Sequence, residues 1–224
     1  MPYVKEADHL GNIITENGDM DKDAAIKRTA FVQSSVQIRE QFKFAAPADI
    51  IKALKVHSNS FYGSNLWDLN GDKASQLYAA WNTTIKMVWN CPIQTRTFFL
   101  QQILYCGYTS AKVDIISRYP TFFRSLLDSP GKELRVLSRL VSRDIRSTTG
   151  GNLAFIRKTT GLNPWEAKGL SLKQRLCQSE MVQVLEEDKW RIPYLRKLLT
   201  FRRLSDDQET QTYIEELIQS LVVN

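Results

Sequence analysis

Asp21-Lys22-Asp23-Ala24-Ala25-Ile26-Lys27-Arg28-Thr29-Ala30-Phe31-Val32-Gln33-Ser34-Ser35-Val36-Gln37-Ile38-Arg39-Glu40-Gln41-Phe42 is the stretch that decides the fold. Ala24, Ala25, Arg28, Phe31, Val32, Ser35, Val36, Ile38 and Phe42 recur near helical spacing, which predicts one long helix with an apolar side. Asp19 or Asp21 stands where a helix cap is expected. Downstream, Pro47 with Asp49 opens a second helix that carries Ile50, Ile51, Leu54, Ser58 and Phe61 inward. It fades at Tyr62-Gly63-Ser64-Asn65. Asn70-Gly71-Asp72 opens a third, with Leu77, Ala80, Trp81, Ile85, Val88 and Trp89 before Pro92. Residues 21–91 therefore read as a three-helix bundle. Upstream, residues 1–20 are β-compatible, and Leu10-Gly11-Asn12-Ile13-Ile14-Thr15 closes on Asn17-Gly18, a hairpin-turn dipeptide.

Beyond Pro92 the pattern stays helical. Phe98, Phe99, Gln102, Ile103 and Tyr105 precede Gly107, and a helix over 110–128 is expected to break or kink at Tyr119-Pro120, where proline removes a donor. Gly131 to Arg146 reads as one amphipathic helix, with Leu134, Leu137, Leu140, Val141 and Ile145 opposite Arg135, Arg139, Arg143 and Arg146. Thr148-Thr149-Gly150-Gly151-Asn152 reads as a loop before a short helix through Leu153 and Ile156. Helices over 170–187 and 194–204 complete a basic helical region, 92–204, and 205–224 reads as an acidic C-terminal helix. The fold class is mainly α: a short N-terminal β-hairpin, a three-helix bundle, then further helices.

Composition excludes several classes. The 224 residues are 43% hydrophobic and 24% charged, the balance of a folded globular chain and not of a disordered one. No apolar run reaches the roughly 18 residues of a membrane span. Met1-Pro2-Tyr3-Val4-Lys5-Glu6 lacks the apolar stretch of a signal peptide. Cys91, Cys106 and Cys177 form an odd set without a C-x-x-C pair, which speaks for a reducing interior. An intracellular setting, cytoplasmic or nuclear, is expected.

Chemistry was sought and not found. His9, His57 and the three cysteines never pair at metal-ligand spacing, so neither metal nor cofactor is expected. There is no G-x-S-x-G elbow and no phosphate loop. Asp206-Asp207 follows Leu204-Ser205 at the opening of a helix, where carboxylates cap amides more readily than they hold two metals. No catalytic residue is assigned.

Charge carries more. The net +6 is uneven: residues 71–160 hold 13 basic and 5 acidic side chains, whereas 204–224 holds 5 acidic and no basic ones. Arg135, Arg139, Arg143 and Arg146, spaced four, four and three, would share one helix face at about 6 Å per turn, near the spacing of phosphates along a strand. Arg157-Lys158 and Lys168 follow. Few carboxylates stand by for intrahelical pairing. Such a face suits an anionic partner, either nucleic acid or an acidic protein. Trp67, Trp81, Trp89, Phe98 and Phe99 sit at apolar helical positions and are expected in the core, not as base-stacking platforms.

Three strings add a resemblance. His9-Leu10-Gly11-Asn12-Ile13-Ile14-Thr15 with Asn17-Gly18-Asp19 resembles the strand just past the catalytic palm of non-LTR (LINE-type) retrotransposon reverse transcriptases, with His9 where that family favours an aromatic residue. Phe61-Tyr62-Gly63-Ser64-Asn65-Leu66-Trp67 is similar to the family's Tyr-Gly-x-x-x-Trp signature between the second and third thumb helices. Arg146-Ser147-Thr148-Thr149-Gly150-Gly151-Asn152-Leu153 resembles the Arg-Ser-x-x-Gly-x-Asn segment of the post-thumb linker. The strings occur in family order and cover about residues 9–160.

The resemblance implies a thumb-like bundle with its linker, lacking palm and fingers: the aromatic-Ala-Asp-Asp string of an RNA-directed DNA polymerase occurs nowhere in the sequence. It implies that His9, Leu10 and Gly11 lie near a primer end. It further implies that Lys27, Arg28, Arg39, Lys52 and Lys55 grip the phosphates of RNA or an RNA–DNA duplex, with Tyr62, Gly63 and Trp67 as a structural signature. A non-catalytic nucleic-acid-binding piece of a mobile element's polyprotein is the expectation. A helical protein-interaction module of mobile-element origin is the competing one, and a membrane partner is not expected.

Overall fold

The computed structural model describes residues 5–9, 12–16, 20–58, 61–94 and 110–163, together with Leu172, Lys173, Leu176, Gln208, Gln211, Thr212 and Glu215, all seven helical. The aromatic segment 98–105, the helix over 194–204, and most of those over 170–187 and 206–222 lie outside the described residues. The described chain is mainly helical with one short hairpin.

Strands β1 (Glu6–His9) and β2 (Asn12–Thr15) pair antiparallel, Glu6 opposite Thr15 and His9 opposite Asn12. Both strands of the hairpin therefore lie ahead of Asn17-Gly18, which is outside the described residues. The Asn-Gly signal is locally strong, but the chain beyond it enters a helix and offers no second strand. Helix α1 (Asp21–Gln41) starts after Met20, without a side-chain cap. Asp21 does not cap it: Asp21 and Asp23 lie inside its first turn, where carboxylates meet the positive end of the dipole, and Asp19 lies outside the described residues.

Helix α2 (Pro47–His57) opens on proline, whose fixed φ suits the first helical position. It ends before Ser58 and Phe61, which are nevertheless buried. A single 3-10 turn, Ser64–Leu66, follows Gly63, and α3 (Asp72–Val88) begins after Gly71. Asn90 ends α3 in the left-handed region (φ 52°), with Asn90 N–H donating to Met87 O at 3.2 Å and Cys91 N–H to Lys86 O at 2.7 Å. These two bonds satisfy carbonyls that the helix end would otherwise leave open. Phe31 of α1 lies 5.2 Å from Trp81 of α3 and 6.4 Å from Phe61, centroid to centroid, and this trio is the middle of the bundle. Trp67 and Trp81 are fully buried, as core residues should be, whereas Trp89 is half-buried.

Helix α4 (Ala111–Leu127) runs through Pro120 without interruption. Ala111, Val113, Ile115, Ile116, Tyr119, Pro120 and Phe123 are buried over more than half of its circumference, with Arg118, Thr121, Arg124 and Ser125 exposed on the remaining face, so tertiary packing holds the turn that proline weakens. Ser110 caps it, its Oγ accepting from Val113 N–H at 3.2 Å.

Two expectations fail together next. Helix α5 covers only Lys132–Val141, and α6 (Thr148–Thr160) starts where a loop was expected. Ser147 joins them: its Oγ donates toward Val141 O (2.6 Å) and Asp144 O (2.7 Å), and accepts from Gly150 N–H at 3.0 Å. A Cβ on Gly150 would collide with the Asp144 carbonyl oxygen, so this glycine serves close approach of two backbones and not chain breaking. One apolar cluster runs from Met20 through α6 to Leu172 and Leu176. Among the described residues no helix is long and apolar enough to cross a membrane.

The two adjacent glycines should respond oppositely to alanine. Gly150→Ala must push the 141–144 turn away from α6 and should cost about 1–3 kcal/mol, the usual scale of overpacking. At Gly151 the nearest obstacle is Ile145 O at 3.4 Å, an ordinary contact. Gly151→Ala should therefore be neutral or stabilise by up to about 1 kcal/mol, through helix propensity. Urea melts of the two variants measure the difference.

Candidate nucleic-acid interface

Arg28 and Arg39 are eleven residues apart on α1, hence on one face and about 16 Å apart along the axis. They flank a shallow groove between α1 and α3. The groove is floored by Val32 and Val36 from α1 and by Ala79, Ala80, Thr83 and Met87 from α3. Arg39 Nη1 lies 3.2 Å from Met87 Sδ, which holds its stem along the groove edge. Arg28 is exposed and Arg39 half-buried. The groove combines two cations with an uncharged floor, and a run of about five phosphate rises of one duplex strand would match its length.

The other basic candidates are dispersed. Lys27 is half-buried and points about 100° round α1 from Arg28, away from the groove. Lys52 pairs with Asp49 at 3.2 Å on the exposed side of α2, a pair that adds little stability, and Lys55 is half-buried on the same helix. Arg157 and Lys158 are exposed on the last turn of α6, where cations suit the helix dipole. His9 ends β1, while Leu10 and Gly11, as well as Lys168, lie outside the described residues.

The four arginines at 135–146 do not form one ladder. Arg135 Nη1 donates to Ser129 O at 2.8 Å and spans to Pro130 O at 3.5 Å, tying the α4–α5 loop. Arg139 is exposed on α5. Arg143 and Arg146 lie beyond its end, and Arg146 Nε meets Asp144 Oδ1 at 3.3 Å. The helix stops at Val141 because the Gly150 seat requires the chain to turn there.

The resemblance strings, by contrast, come together. Gly63 adopts φ +82°, a left-handed conformation that glycine takes cheaply, and its missing Cβ leaves room for the Asn12 side chain. Tyr62 beside it is 58% exposed, whereas Trp67 is 1% exposed. Trp67 Nε1 donates to Asp23 Oδ2 at 2.8 Å, and the other carboxylate oxygen of Asp23 accepts from Ile13 N–H at 3.2 Å. Asn152 Nδ2 donates to Trp67 O at 2.8 Å, while Asn152 Oδ1 accepts from Leu69 N–H at 2.9 Å. Strand β2, helix α1, the 67–69 turn and helix α6 thus meet through two buried side chains, Asp23 and Asn152.

The surrounding phenols belong to the same junction. Tyr78 donates to Leu69 O at 3.3 Å, and burial next to Asp68 pushes its hydroxyl pKa well up. Burial also raises that of Tyr119, opposed by its hydrogen bonds with Thr149 and Asn152. Trp67 lies in the core as expected, and its polar partners lie on α1 and α6. Asp23 escaped sequence reasoning because an acid in a first turn reads as a dipole partner; its place beside buried Ala24 was the available signal.

Among the described residues, no three His, Cys, Asp or Glu side chains gather as a metal site would need. Comparison with models of known families, with curated proteins and with solved structures returns no match to this chain.

The junction makes two graded predictions. Trp67→Ala should cost about 3–5 kcal/mol, as for large buried aromatics, and Trp67→Phe about 1–3, because the ring is largely kept while Asp23 loses a donor. Asn152→Ala strands two buried backbone groups and should cost about 2–6 kcal/mol, at about 1–3 for each. Denaturant titration of the variants measures all three.

Proposed function

We propose that the chain is a non-catalytic, nucleic-acid-binding unit that grips the backbone of RNA or an RNA–DNA duplex, in the manner of the thumb and linker of a non-LTR retrotransposon reverse transcriptase. The observation that carries this reading is the meeting of all three resembling strings at one buried junction. Strings that resembled the family by chance would have no reason to contact one another across the fold. Asp23 anchors the first turn of α1 there, and Arg28 follows only five residues later on the same rigid helix. The junction is therefore a foundation for the Arg28–Arg39 groove.

Mechanistically, such a groove positions and does not read. Guanidinium groups take phosphate oxygens in a bidentate manner, and the uncharged floor lets the sugar edge approach. Backbone contacts carry no base information, so sequence preference should be slight. Polymerisation is not part of the proposal, since no side chains are assigned to hold the divalent ions that orient a triphosphate.

Fluorescence anisotropy against an RNA–DNA hybrid at graded salt tests the grip. Each phosphate neutralised contributes about 0.9 to the slope of log affinity against log salt on duplex. Arg28→Ala with Arg39→Ala should flatten that slope by up to about 1.8 without changing the melting temperature. An unchanged slope would remove the groove from the binding face. Primer extension on a homopolymer template with magnesium or manganese should give no incorporation above a heat-killed control.

A further inference from the structure

Helix α5 is turned inside out relative to its own sequence pattern. Ser138 is its buried residue, while Leu134 (41%), Val136 (48%), Leu137 (56%) and Leu140 (61%) are exposed, as is Ile145 (69%) just beyond its end. The orientation is fixed at both ends. Arg135 is held by Ser129 O at the start, and the turn after Val141 is seated against Gly150. The outward leucines are thus presented by defined packing, and several large apolar side chains exposed on one short helix mark an interaction surface.

The chemistry of the patch selects the occupant. Leu134, Leu137 and Leu140 repeat every three residues on a helical surface, which suits a second helix laid alongside with its own apolar stripe. Lys132 and Arg139 line one flank and Arg143 follows past the helix end, all three exposed, while exposed Arg146 already pairs with Asp144. That excess of cations calls for acidic residues on the partner and repels the same face of a second copy. Exposed Glu133 projects between Leu137 and Leu140 on the helical wheel, and a carboxylate there is costly to bury among lipid chains.

We propose that α5 is a docking ridge for an amphipathic helix of a partner protein, with leucine-type residues inward and Asp or Glu on the flank facing Lys132 and Arg139. This surface is separate from the Arg28–Arg39 groove and does not depend on the nucleic-acid reading.

The probe is a fluorescein-labelled synthetic peptide of three heptads with Leu at a and d and Glu at e and g; a matched peptide carries Lys at e and g. The full chain should bind the acidic peptide and not the basic one. Leu137→Gln with Leu140→Gln should weaken that binding by about tenfold or more, the scale of losing central apolar anchors. The circular-dichroism melt should stay unchanged, because both side chains are exposed. Arg139→Glu should weaken it several-fold and relax the choice between peptides.

Failure to bind the acidic peptide, equal binding of both peptides, or equal binding by the double-leucine variant would each overturn the proposal. So would a dimer in sedimentation that the double substitution dissolves, which assigns the ridge to a second copy. Binding to phosphatidylserine–phosphatidylcholine vesicles that the same substitution abolishes would assign it to lipid. A variant with Asp206, Asp207, Glu209, Glu215 and Glu216 neutralised to amides that binds the probe far more tightly than the native chain would assign it to the chain's own acidic segment.

Discussion

The buried hydrogen bond from Trp67 Nε1 to Asp23 Oδ2, 2.8 Å long, is the constraint on which the rest of the structure depends. A carboxylate that is 1% exposed is costly to desolvate and is tolerated only when its oxygens find donors. Asp23 finds an indole and a backbone amide, from two segments remote in sequence from each other. Every alternative packing of β2 or of the 67–69 turn would leave that carboxylate short of a partner. The penalty is about 1–3 kcal/mol for each unmet neutral group and larger for a charged one, enough to select one arrangement. The aromatic trio of Phe31, Phe61 and Trp81 supplies apolar burial but little direction, since rings accept several tilts. The trio thus adds apolar burial, while direction comes from the junction.

Asn152 extends the same logic to the second half of the described chain. Its amide donates once and accepts once across to the Trp67–Leu69 turn, joining α6 to the bundle. Gly150, two residues earlier, allows α6 to sit tightly on the turn that ends α5. A shift of α6 by even one residue would lose both the carboxamide geometry and the glycine seat. The outward rotation of α5 follows from the same seat: once the chain must turn after Val141, the short helix has only Arg135 and Ser138 to settle its roll, and the leucines face outward.

How much of this was legible in the sequence depends on whether a signal is local. The hairpin followed by helices, the helix starts at Pro47 and Asp72, and the left-handed Gly63 all follow from residue chemistry acting within a few positions. Four local signals were outvoted by distant contacts. Asn17-Gly18 lost to the pairing of 6–9 with 12–15, Pro120 to the burial of α4 over most of its surface, the Gly150-Gly151 pair to a tight helix contact, and the amphipathic run to Arg146 to the turn that contact demands. Of the candidate cations, the family resemblance named Arg28 and Arg39, but the groove they flank depends on the packing of α3 against α1, which no spacing along one helix reveals.

The composition of α1 makes sense in these terms. A helix that only packed inward would show one apolar stripe, yet α1 buries Ala24, Phe31 and Ile38 while leaving Val32 (39%) and Val36 (51%) accessible beside Arg28 and Arg39. The inner set is fixed by the aromatic trio and the outer set forms the groove floor, so the helix cannot rotate to hide the second without exposing the first. Two apolar sides on one helix, clamped at its first turn by Asp23, define a rigid and weakly hydrated surface between two cations. Ordering such a surface before a ligand arrives lowers the entropic cost of binding, because neither the helix nor the arginine stem along Met87 need be arranged afterwards. The buried junction thus acts at a distance: it contributes no contact to a phosphate, but it keeps the residues that would make one from moving independently.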